Sequence, residues 1–402
     1  MRFFLLVLLV LAFPAAAQLE ADNARRTIAS VELLLKQRPS DATLWFFLAR
    51  ANAELGDKAA TLAALEKTNE LGDGFLPSRP GFDKVWDHPQ FQALRGRMAA
   101  RLPVLDYAPT AFELEDRTLL PEGIAYDAPS RTFFIGSAQG KVLRVTESGV
   151  ASEFAGAAAN LDAVLGLAVD APRRTLYVVS TSALTAQGEK RRRNAVVAFD
   201  VDSRKLLARY EVPGAVQLND VTVAMGGRVF ASDSGSGAIY EIGVKGPLTS
   251  RELLPAARLG GSNGLAASPD GAKLYVAHST GLAVIDIASG TMKRVANPTR
   301  ETVAAIDGLY QWQGQLIGVQ NLTTPGRVIV ISLSPDGESI SRVQTLLSHH
   351  HNALDEPTTG VVTERGFFLL AATGITHVNR AGGIDEPDKV PRPLVVRIPL
   401  PR

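Results

Sequence analysis

One β-rich unit recurs six times between about Tyr107 and the C-terminus. Each copy opens on a residue pair, usually ending in glycine, and continues into an apolar run, a turn and a second apolar run. The six openings are Glu122-Gly123, Leu165-Gly166, Asn219-Asp220, Asn263-Gly264, Asp307-Gly308 and Thr359-Gly360. They are spaced by about 43 to 54 residues, the length of a four-stranded propeller blade. The repeat therefore predicts an all-β six-bladed β-propeller over residues 104–402.

The first residue of each opening is of special interest, because the first strand of every propeller blade lines the central channel. Residues at the same place in each repeat then form a ring about the axis, made of Glu122, Leu165, Asn219, Asn263, Asp307 and Thr359. Two carboxylates and two amide oxygens suit Ca²⁺, Mg²⁺ or Mn²⁺ and can also accept Zn²⁺. The alternative is that these residues only satisfy local backbone groups in turns. Four such residues in register favour a cation site.

The N-terminus has the order of a secretory signal, with a basic residue, an apolar run from Phe3 to Phe13 and small residues at Ala15 to Ala17. Residues 1–17 are therefore predicted to be a signal peptide, which places the mature chain in the periplasm or outside the cell. No later window has the length and apolar character of a transmembrane segment. The chain has no cysteine, which excludes disulfides and thiolate metal sites. A formal charge of +1 gives no case for a nucleic-acid partner.

Residues 18–103 are predicted to form a small α-helical domain, because their apolar residues recur at helical spacing between breaks rich in Gly, Asp and Pro. The stretch around its middle resembles one tetratricopeptide repeat, with large, small and turn residues at Trp45, Leu48, Ala49, Gly56 and Leu65. A free-standing array needs at least about three repeats. The domain is therefore expected either to pack on the propeller or to bind a protein partner through a peptide.

The propeller openings and the runs after them resemble the gluconolactonase and senescence-marker-protein (SMP-30/LRE-like) family. The resemblance covers roughly Phe112 to the C-terminus and is carried by Glu122-Gly-Ile-Ala-Tyr, Leu218-Asn-Asp, Ser262-Asn-Gly-Leu with Ser268-Pro-Asp-Gly, and Ile306-Asp-Gly-Leu. It implies a six-bladed propeller with one divalent cation on its axis and an enzyme that hydrolyses sugar lactones and related esters. Carried over to this chain, it implies that Ca²⁺, or alternatively Zn²⁺, Mg²⁺ or Mn²⁺, is held by Glu122, Asn219, Asn263 and Asp307.

The same resemblance makes Asp307 the acid/base. If a lactone or ester carbonyl faces the cation, the cation polarises that carbonyl and stabilises the developing oxyanion. Asp307 would take a proton from the attacking water and return it to the leaving alkoxide. The sequence has no Gly-x-Ser-x-Gly elbow and no cysteine, so no covalent route is expected.

Four further residues are candidate accessory groups. The Asn219-Asp220 pair resembles that of paraoxonase-type lactonases, which hold a second, structural calcium; a second ion is not expected here, because Gly123 and not an acid follows Glu122. Gln217 stands where sugar-lactone members carry an arginine, which argues against a gluconolactone-type substrate. His351 and Glu356 lie in the insertion before the sixth repeat, where they act as ligands or lid residues or remain solvated.

Two other functions stay open. Many propellers do no chemistry, so the chain could be a non-catalytic module of the cell envelope that binds a ligand or a protein. The third reading is chemistry like that of strictosidine synthase on a similar propeller. Its members lack the metal ligands, so the ring of oxygen ligands argues against it.

Overall fold

The computed structural model describes residues 6–183, 192–243, 250–378, 384 and 386–401, with side chains from residue 20 onward apart from residue 376. The chain divides into two compact units, residues 1–103 with 300–302 and residues 104–299 with 303–402. The first is helical and the second is an all-β propeller. The predicted fold class is therefore confirmed. No helix among the described residues is long and apolar enough to cross a membrane.

The N-terminal unit contains, in its described part, four α-helices. These are α1 (Leu6–Gln37), α2 (Ala42–Leu55), α3 (Lys58–Leu71) and α4 (Pro89–Ala99). Helix α2 begins where the Asp41 carboxylate accepts hydrogen bonds from the backbone N–H groups of Thr43 and Leu44, and it ends at Gly56 with φ +79°. The apolar faces enclose an aromatic core around Phe46 and Phe82, whose ring centroids are 5.8 Å apart. The likeness to a tetratricopeptide repeat remains a prediction.

The described part of the second unit forms six four-stranded antiparallel sheets. A strand β1 (Thr110–Glu113) precedes the first blade. Blade one consists of β2 (Pro121–Asp127), β3 (Thr132–Ser137), β4 (Lys141–Thr146) and β5 (Ala151–Ala155). Blade two consists of β6 (Ala163–Asp170), β7 (Thr175–Thr181), β8 (Asn194–Asp200) and β9 (Leu206–Glu211). Blade three consists of β10 (Leu218–Val223), β11 (Val229–Asp233), β12 (Ile239–Ile242) and β13 (Ser250–Leu254).

The second half of the ring repeats this arrangement. Blade four consists of β14 (Leu265–Ala267), β15 (Lys273–His278), β16 (Gly281–Asp286) and β17 (Met292–Arg294). Blade five consists of β18 (Ile306–Trp312), β19 (Gln315–Gln320), β20 (Arg327–Leu333) and β21 (Ile340–Leu347). Blade six consists of β22 (Gly360–Thr363), β23 (Gly366–Ala372), β24 (Leu394–Ile398) and the early strand β1. Within each blade the chain runs outward from the axis as a meander.

Strand β1 closes the ring, and the sequence pattern did not identify it. It pairs antiparallel with β24, with Thr110 opposite Val396 and Glu113 opposite Leu394. Between the last and first blades, the ring of Phe133 lies 4.9 Å from that of Phe368 and 5.2 Å from that of Phe112. The N-terminal end of the propeller is thus built into its final blade, which removes the open edge that an incomplete sheet would leave.

The glycines of the openings let neighbouring blades approach at the axis. A Cβ atom at Gly123 would collide with the carbonyl oxygen of Leu165 in blade two, and one at Gly166 would lie 2.7 Å from the carbonyl oxygen of Asn219 in blade three. A side chain is therefore excluded by the next blade's backbone. This explains why glycine recurs at the second position of the repeat.

Candidate metal and catalytic centre

The predicted ring residues lie on or just before the first strands of their blades, and those strands are irregular in blades one, two, three and five. The pairing of β2 with β3 shifts register around Glu122, that of β10 with β11 around Asn219, and that of β18 with β19 around Asp307. A bulge adds a residue to one strand and redirects its side chain. The local irregularity therefore gives each of these polar side chains a direction that a regular pleat would not.

Asp307 is held by two amide groups from different blades. Asn263 of blade four donates from Nδ2 to Asp307 Oδ1 at 2.7 Å, and Asn321 of blade five donates from Nδ2 to Oδ2 at 2.8 Å. The same Nδ2 of Asn321 lies 3.1 Å from the carbonyl oxygen of Pro357. The structure thus brings two predicted ligands into direct contact. It also adds Asn321, which follows β19 and lies outside the predicted ring; its sequence position in blade five suggested a place at the channel mouth but no contact with Asp307.

Glu122 carries a buried carboxylate oxygen without a partner. Among the described residues, its Oε2 is shielded from solvent and accepts no hydrogen bond. Its backbone carbonyl is engaged, because Thr358 and Thr359 donate their hydroxyls to it at 3.0 and 2.6 Å. Burial raises the pKa of Glu122 well above its ordinary value, and the negative charges of Asp307 and Glu356 raise it further. A bound cation would stabilise a buried carboxylate that has a raised pKa and an oxygen without a hydrogen-bond donor.

Two effects oppose each other at Asp307. Burial raises its pKa, while the hydrogen bonds from Asn321 and Asn263 lower it, and the charge of Glu356 adds a smaller increase; the resulting pKa is about 6. Asp307 is therefore mostly ionised at neutral pH but close enough to its pKa to exchange a proton. This is the range in which a carboxylate serves as a general base and acid.

Glu356 belongs to the segment that precedes blade six. Its φ is +52°, an uncommon value for a residue with a side chain, and Thr373 donates its hydroxyl to the Glu356 carbonyl at 3.2 Å. The electrostatic effect of its carboxylate on Glu122 and Asp307 places it beside the centre. Of the four accessory candidates, Glu356 raises the pKa of both Glu122 and Asp307, and Asp220 has its own pKa raised by Asp307.

Asn219 lies in the same ring with a different partner. Its Nδ2 donates to Ser234 Oγ at 3.0 Å. Two residues earlier, Gln217 is held through its backbone, because its N–H donates to Asp233 Oδ1 at 2.8 Å and its carbonyl accepts from the N–H of Ser234 at 2.9 Å. The half-buried side chain of Gln217 therefore projects from an anchored segment next to the ring.

Asp220 replaces the glycine found at this position in the other five blades, and it links two blades. Its Oδ2 accepts from the backbone N–H of Leu265 in blade four at 2.8 Å, and its Oδ1 accepts from its neighbour Val221 at 2.8 Å. Burial raises the pKa of Asp220 to about 7, although the two N–H groups lower it, and Asp307 contributes a further increase. The carboxylate is a structural bridge within the wall of the channel.

The raised pKa of Asp220 predicts a pH-dependent stability. The unfolded carboxyl ionises near pH 4, whereas the folded one keeps its proton until about pH 7. The folded state therefore binds the proton more tightly, and the stabilisation is lost as pH rises from about 4 to about 7. We expect Asp220→Asn to flatten the fall of the melting temperature over this range, measured by circular dichroism with a chelator present.

Glu122 and Asp307 contribute slopes of the same sign, so the variant retains part of the fall. Asp106→Asn, at an exposed position, is the matched control and should leave the slope unchanged. An Asp220→Asn slope equal to that of the wild type would show that Asp220 ionises normally in the folded protein.

His351 has a structural environment. Its Nε2 lies 2.9 Å from the carbonyl oxygen of Ala108, and its Nδ1 accepts from the N–H of Ala353 at 3.2 Å. Nearby, Ser348 donates its hydroxyl to the carbonyl of Leu105 at 3.1 Å. Both ring nitrogens of His351 are thus engaged by backbone groups. The residue anchors the segment that leads into β1.

The channel next to the ring contains a cavity with both polar and apolar lining groups. A cavity of about 170 Å³ is lined by the first strands of the blades, with Asp220 and Tyr310 among its polar groups and Leu167, Leu265 and Leu309 among its apolar ones. The hydroxyl of Tyr310 accepts from the N–H of Gly360 at 2.8 Å, and burial raises its pKa well above the ordinary value. Burial of Glu122, Asp220 and Asp307 between the blades is the main physical reason for their raised pKa values.

The donor set is compatible with one divalent cation. Among the described residues no group of three or more His, Cys, Asp or Glu side chains is arranged to hold a metal. The candidate centre instead combines two carboxylates, Glu122 and Asp307, with two amide groups, Asn219 and Asn263. Both amides direct Nδ2 toward a protein acceptor, which leaves Oδ1 available. Hard cations such as Ca²⁺ accept such mixed oxygen ligands, and the unpartnered Glu122 oxygen fits this use.

Comparisons with known proteins found one matching family model and several solved structures that resemble this chain. A family model described as SMP-30/Gluconolactonase/LRE-like region matches residues 120–346. A search of curated proteins found no match. Solved structures with a similar fold include a gluconolactonase from Xanthomonas campestris (17% identity, 74% of this chain and 99% of that chain, TM-score 0.47) and a luciferin-regenerating enzyme (13%, 71% and 93%, 0.47). A third is an aldose sugar dehydrogenase from Streptomyces coelicolor (14%, 74% and 99%, 0.47). These likenesses concern the fold and carry no argument about activity.

Proposed function

The chain belongs to the SMP-30/gluconolactonase/LRE-like family, and on that premise we propose that it is a metal-dependent hydrolase of lactones or related esters. The observation that carries the proposal is the buried, unpartnered oxygen of Glu122 beside Asp307, the latter held by Asn263 and Asn321. Leaving a carboxylate oxygen buried and unsatisfied is unfavourable. A site that keeps such a group in a channel is suited to a ligand that compensates it.

Glu122, Asn219, Asn263 and Asp307 are the residues that would hold the cation, with Ca²⁺ favoured because all four offer oxygen atoms. When bound, the cation supplies Lewis-acid polarisation of the substrate carbonyl. The chain itself supplies the geometry, since these four side chains come from four different blades around the axis. Burial of Glu122 and Asp307 strengthens electrostatic interactions at the centre.

Asp307 is the acid/base in this proposal. Its carboxylate takes a proton from the attacking water and returns it to the leaving alkoxide. Asn263 and Asn321 each occupy one carboxylate oxygen, so they orient the group and keep it ionised at neutral pH. Gln217 beside the ring stands where sugar-lactone members of the family carry an arginine, so the guanidinium donors of that arginine are absent and lactones or esters other than gluconolactone-type substrates are favoured.

We also propose that residues 1–17 direct export and that the mature chain acts in the periplasm or outside the cell. The helical unit is proposed to resemble a tetratricopeptide repeat and to take a protein partner. Cleavage after Ala17, read as an N-terminal Gln18 in secreted material, tests the first of these. Retention of Met1 in exported protein would contradict it.

The function is tested with metal-free protein and a panel of aliphatic lactones, sugar lactones and aryl esters. We expect chelator-treated protein to be inactive and to regain activity on addition of Ca²⁺, Mn²⁺ or Zn²⁺, because polarisation of the carbonyl depends on the cation. Elemental analysis of the purified protein should find one divalent ion per chain. Protein that contains no divalent metal and stays inert across the panel would favour the non-catalytic binding module.

A further inference from the structure

A tight turn of blade three, Asp233-Ser234-Gly235-Ser236, joins β11 to β12 beside the ring. The carboxylate of Asp233 is fully buried and accepts five hydrogen bonds. Its donors are the backbone N–H groups of Val216, Gln217, Gly235 and Ser236 and the hydroxyl of Ser236, at 2.7 to 3.2 Å. These hydrogen bonds fasten the turn to the segment that leads into Asn219, and none of them involves the side chain of Ser234.

The hydroxyl of Ser234 has a defined direction. It lies 2.7 Å from the backbone carbonyl oxygen of Ser262 in blade four. A carbonyl only accepts, so Ser234 must donate its single proton there. The remaining lone pairs of Oγ can only accept, and the group that lies 3.0 Å away is the side-chain amide of Asn219. That amide must therefore present its N–H to Ser234.

This hydrogen bond decides which end of the Asn219 amide faces away from the turn. With Nδ2 directed at Ser234, Oδ1 is the atom left for the channel. A cation is bound by the oxygen and repelled by the N–H group. Rotation of the amide by 180° would exchange the two and place oxygen against oxygen at Ser234.

The same hydroxyl connects Asn219 to the blade that carries Asn263. Ser262 is fully buried and directly precedes Asn263, and its own hydroxyl donates to the carbonyl of Gly237 at 3.0 Å. The N–H of Asn263 donates to the carbonyl of Ala277 at 2.8 Å. Blades three and four are thus joined through Ser234 at the level of the ring, between two of its amide ligands.

We infer that Ser234 is a positioning residue for the cation site. Ser234 fixes the orientation of the Asn219 amide and the distance of Asn219 from the backbone that precedes Asn263. The inference rests on the proposed function, because it assigns Ser234 to the same site. Ser234 acts on the cation through Asn219 alone, while the Ser262 carbonyl fixes the direction of the Ser234 hydroxyl. Groups that orient metal ligands typically change metal affinity by about 10-fold to 100-fold when removed.

The test measures Ca²⁺ affinity by isothermal titration calorimetry on the full-length mature protein. We expect Ser234→Ala to weaken Ca²⁺ binding about 10-fold. Ser236→Ala is the matched control, because it removes a hydroxyl from the same turn that serves Asp233 and not Asn219. It should leave the affinity within about 2-fold of the wild type, an effect too small for a ligand-orienting group. In an Asn219→Ala background, Ser234→Ala should have no further effect, since the residue through which it acts is gone.

A second measurement needs no metal. In protein labelled with ¹⁵N-asparagine, the side-chain amide signal of Asn219, assigned by its loss in Asn219→Ala, should shift in Ser234→Ala and stay in place in Ser236→Ala. Equal Ca²⁺ affinity in wild type and Ser234→Ala, or an additive effect in the Asn219→Ala background, would overturn the positioning role. Wild-type protein that binds no divalent ion contradicts the proposed function, and an unshifted Asn219 signal contradicts the hydrogen bond itself.

Discussion

Asp307→Asn is expected to lower kcat about 1000-fold, measured with the best substrate of the lactone and ester panel, while the protein stays folded. General acid and base catalysis contributes about 10² to 10⁴ in rate, and asparagine cannot accept and return a proton. The fold should survive, because the substitution removes a negative charge from the centre. That charge repels the carboxylate of Glu122, as the raised pKa of Glu122 reflects. One amide oxygen remains to accept from Asn263 or Asn321.

Asp307 is also a proposed ligand, so the rate must be measured at saturating cation with the metal content determined in parallel. Asp336→Asn is the matched control, because this exposed aspartate lies in a turn of the same blade and its carboxylate accepts from the Ser334 hydroxyl and the N–H of Glu338, away from the ring. It should keep wild-type activity. If Asp307→Asn retained more than about a tenth of kcat with the cation bound, Asp307 could not be the acid/base, since that loss is below the range for such a group.

Glu122→Gln is expected to weaken cation binding and, in the absence of metal, to stabilise the folded protein. The cation affinity should fall about 100-fold or more, because ligand charge strongly tunes such sites. The metal-free protein should become more stable, because a buried carboxylate with an unsatisfied oxygen is replaced by a neutral amide. We expect its melting temperature to rise by about 2 to 4 °C in the presence of a chelator.

The control for this experiment is Glu241→Gln. Glu241 is also buried, but its carboxylate pairs with Arg228 at 2.7 Å and Arg251 on its other oxygen at 2.5 Å, and these partners lower its pKa below the ordinary value in spite of burial. Glu241→Gln should therefore lower the melting temperature and leave cation affinity unchanged. A Glu122→Gln protein that is less stable without metal and binds Ca²⁺ normally would show that Glu122 has a purely structural role.

Much of the propeller could be predicted because a blade is a local structure. Its strands follow one another through short turns, so turn residues and apolar runs repeat along the sequence at the length of the blade. Strand β1 was missed for the converse reason. Thr110–Glu113 pairs with Leu394–Val396 at the other end of the chain, and no neighbouring turn or repeat marks it.

The side-chain contacts of the predicted ring could likewise be predicted only in part. The contact between Asn263 and Asp307 was implied by their shared place in two repeats, and the structure contains it. The hydrogen bonds of Asn321 and Ser234 were not predictable in this way. These residues follow later strands of their blades, and their contacts depend on the bulges and on how closely neighbouring blades approach.

The sequence by itself determined the number of blades and which residues stand at the axis, because both follow from a repeat whose elements are close along the chain. Only the tertiary structure decided how those residues act. The amide of Asn219 takes its orientation from a carbonyl in the next blade, and Glu122 receives hydroxyl donors from residues 236 and 237 positions away. The pKa values of Asp220 and Asp307 depend on burial between blades. Such environments exist only when the ring is closed, since each is made by segments that the chain brings together from far apart.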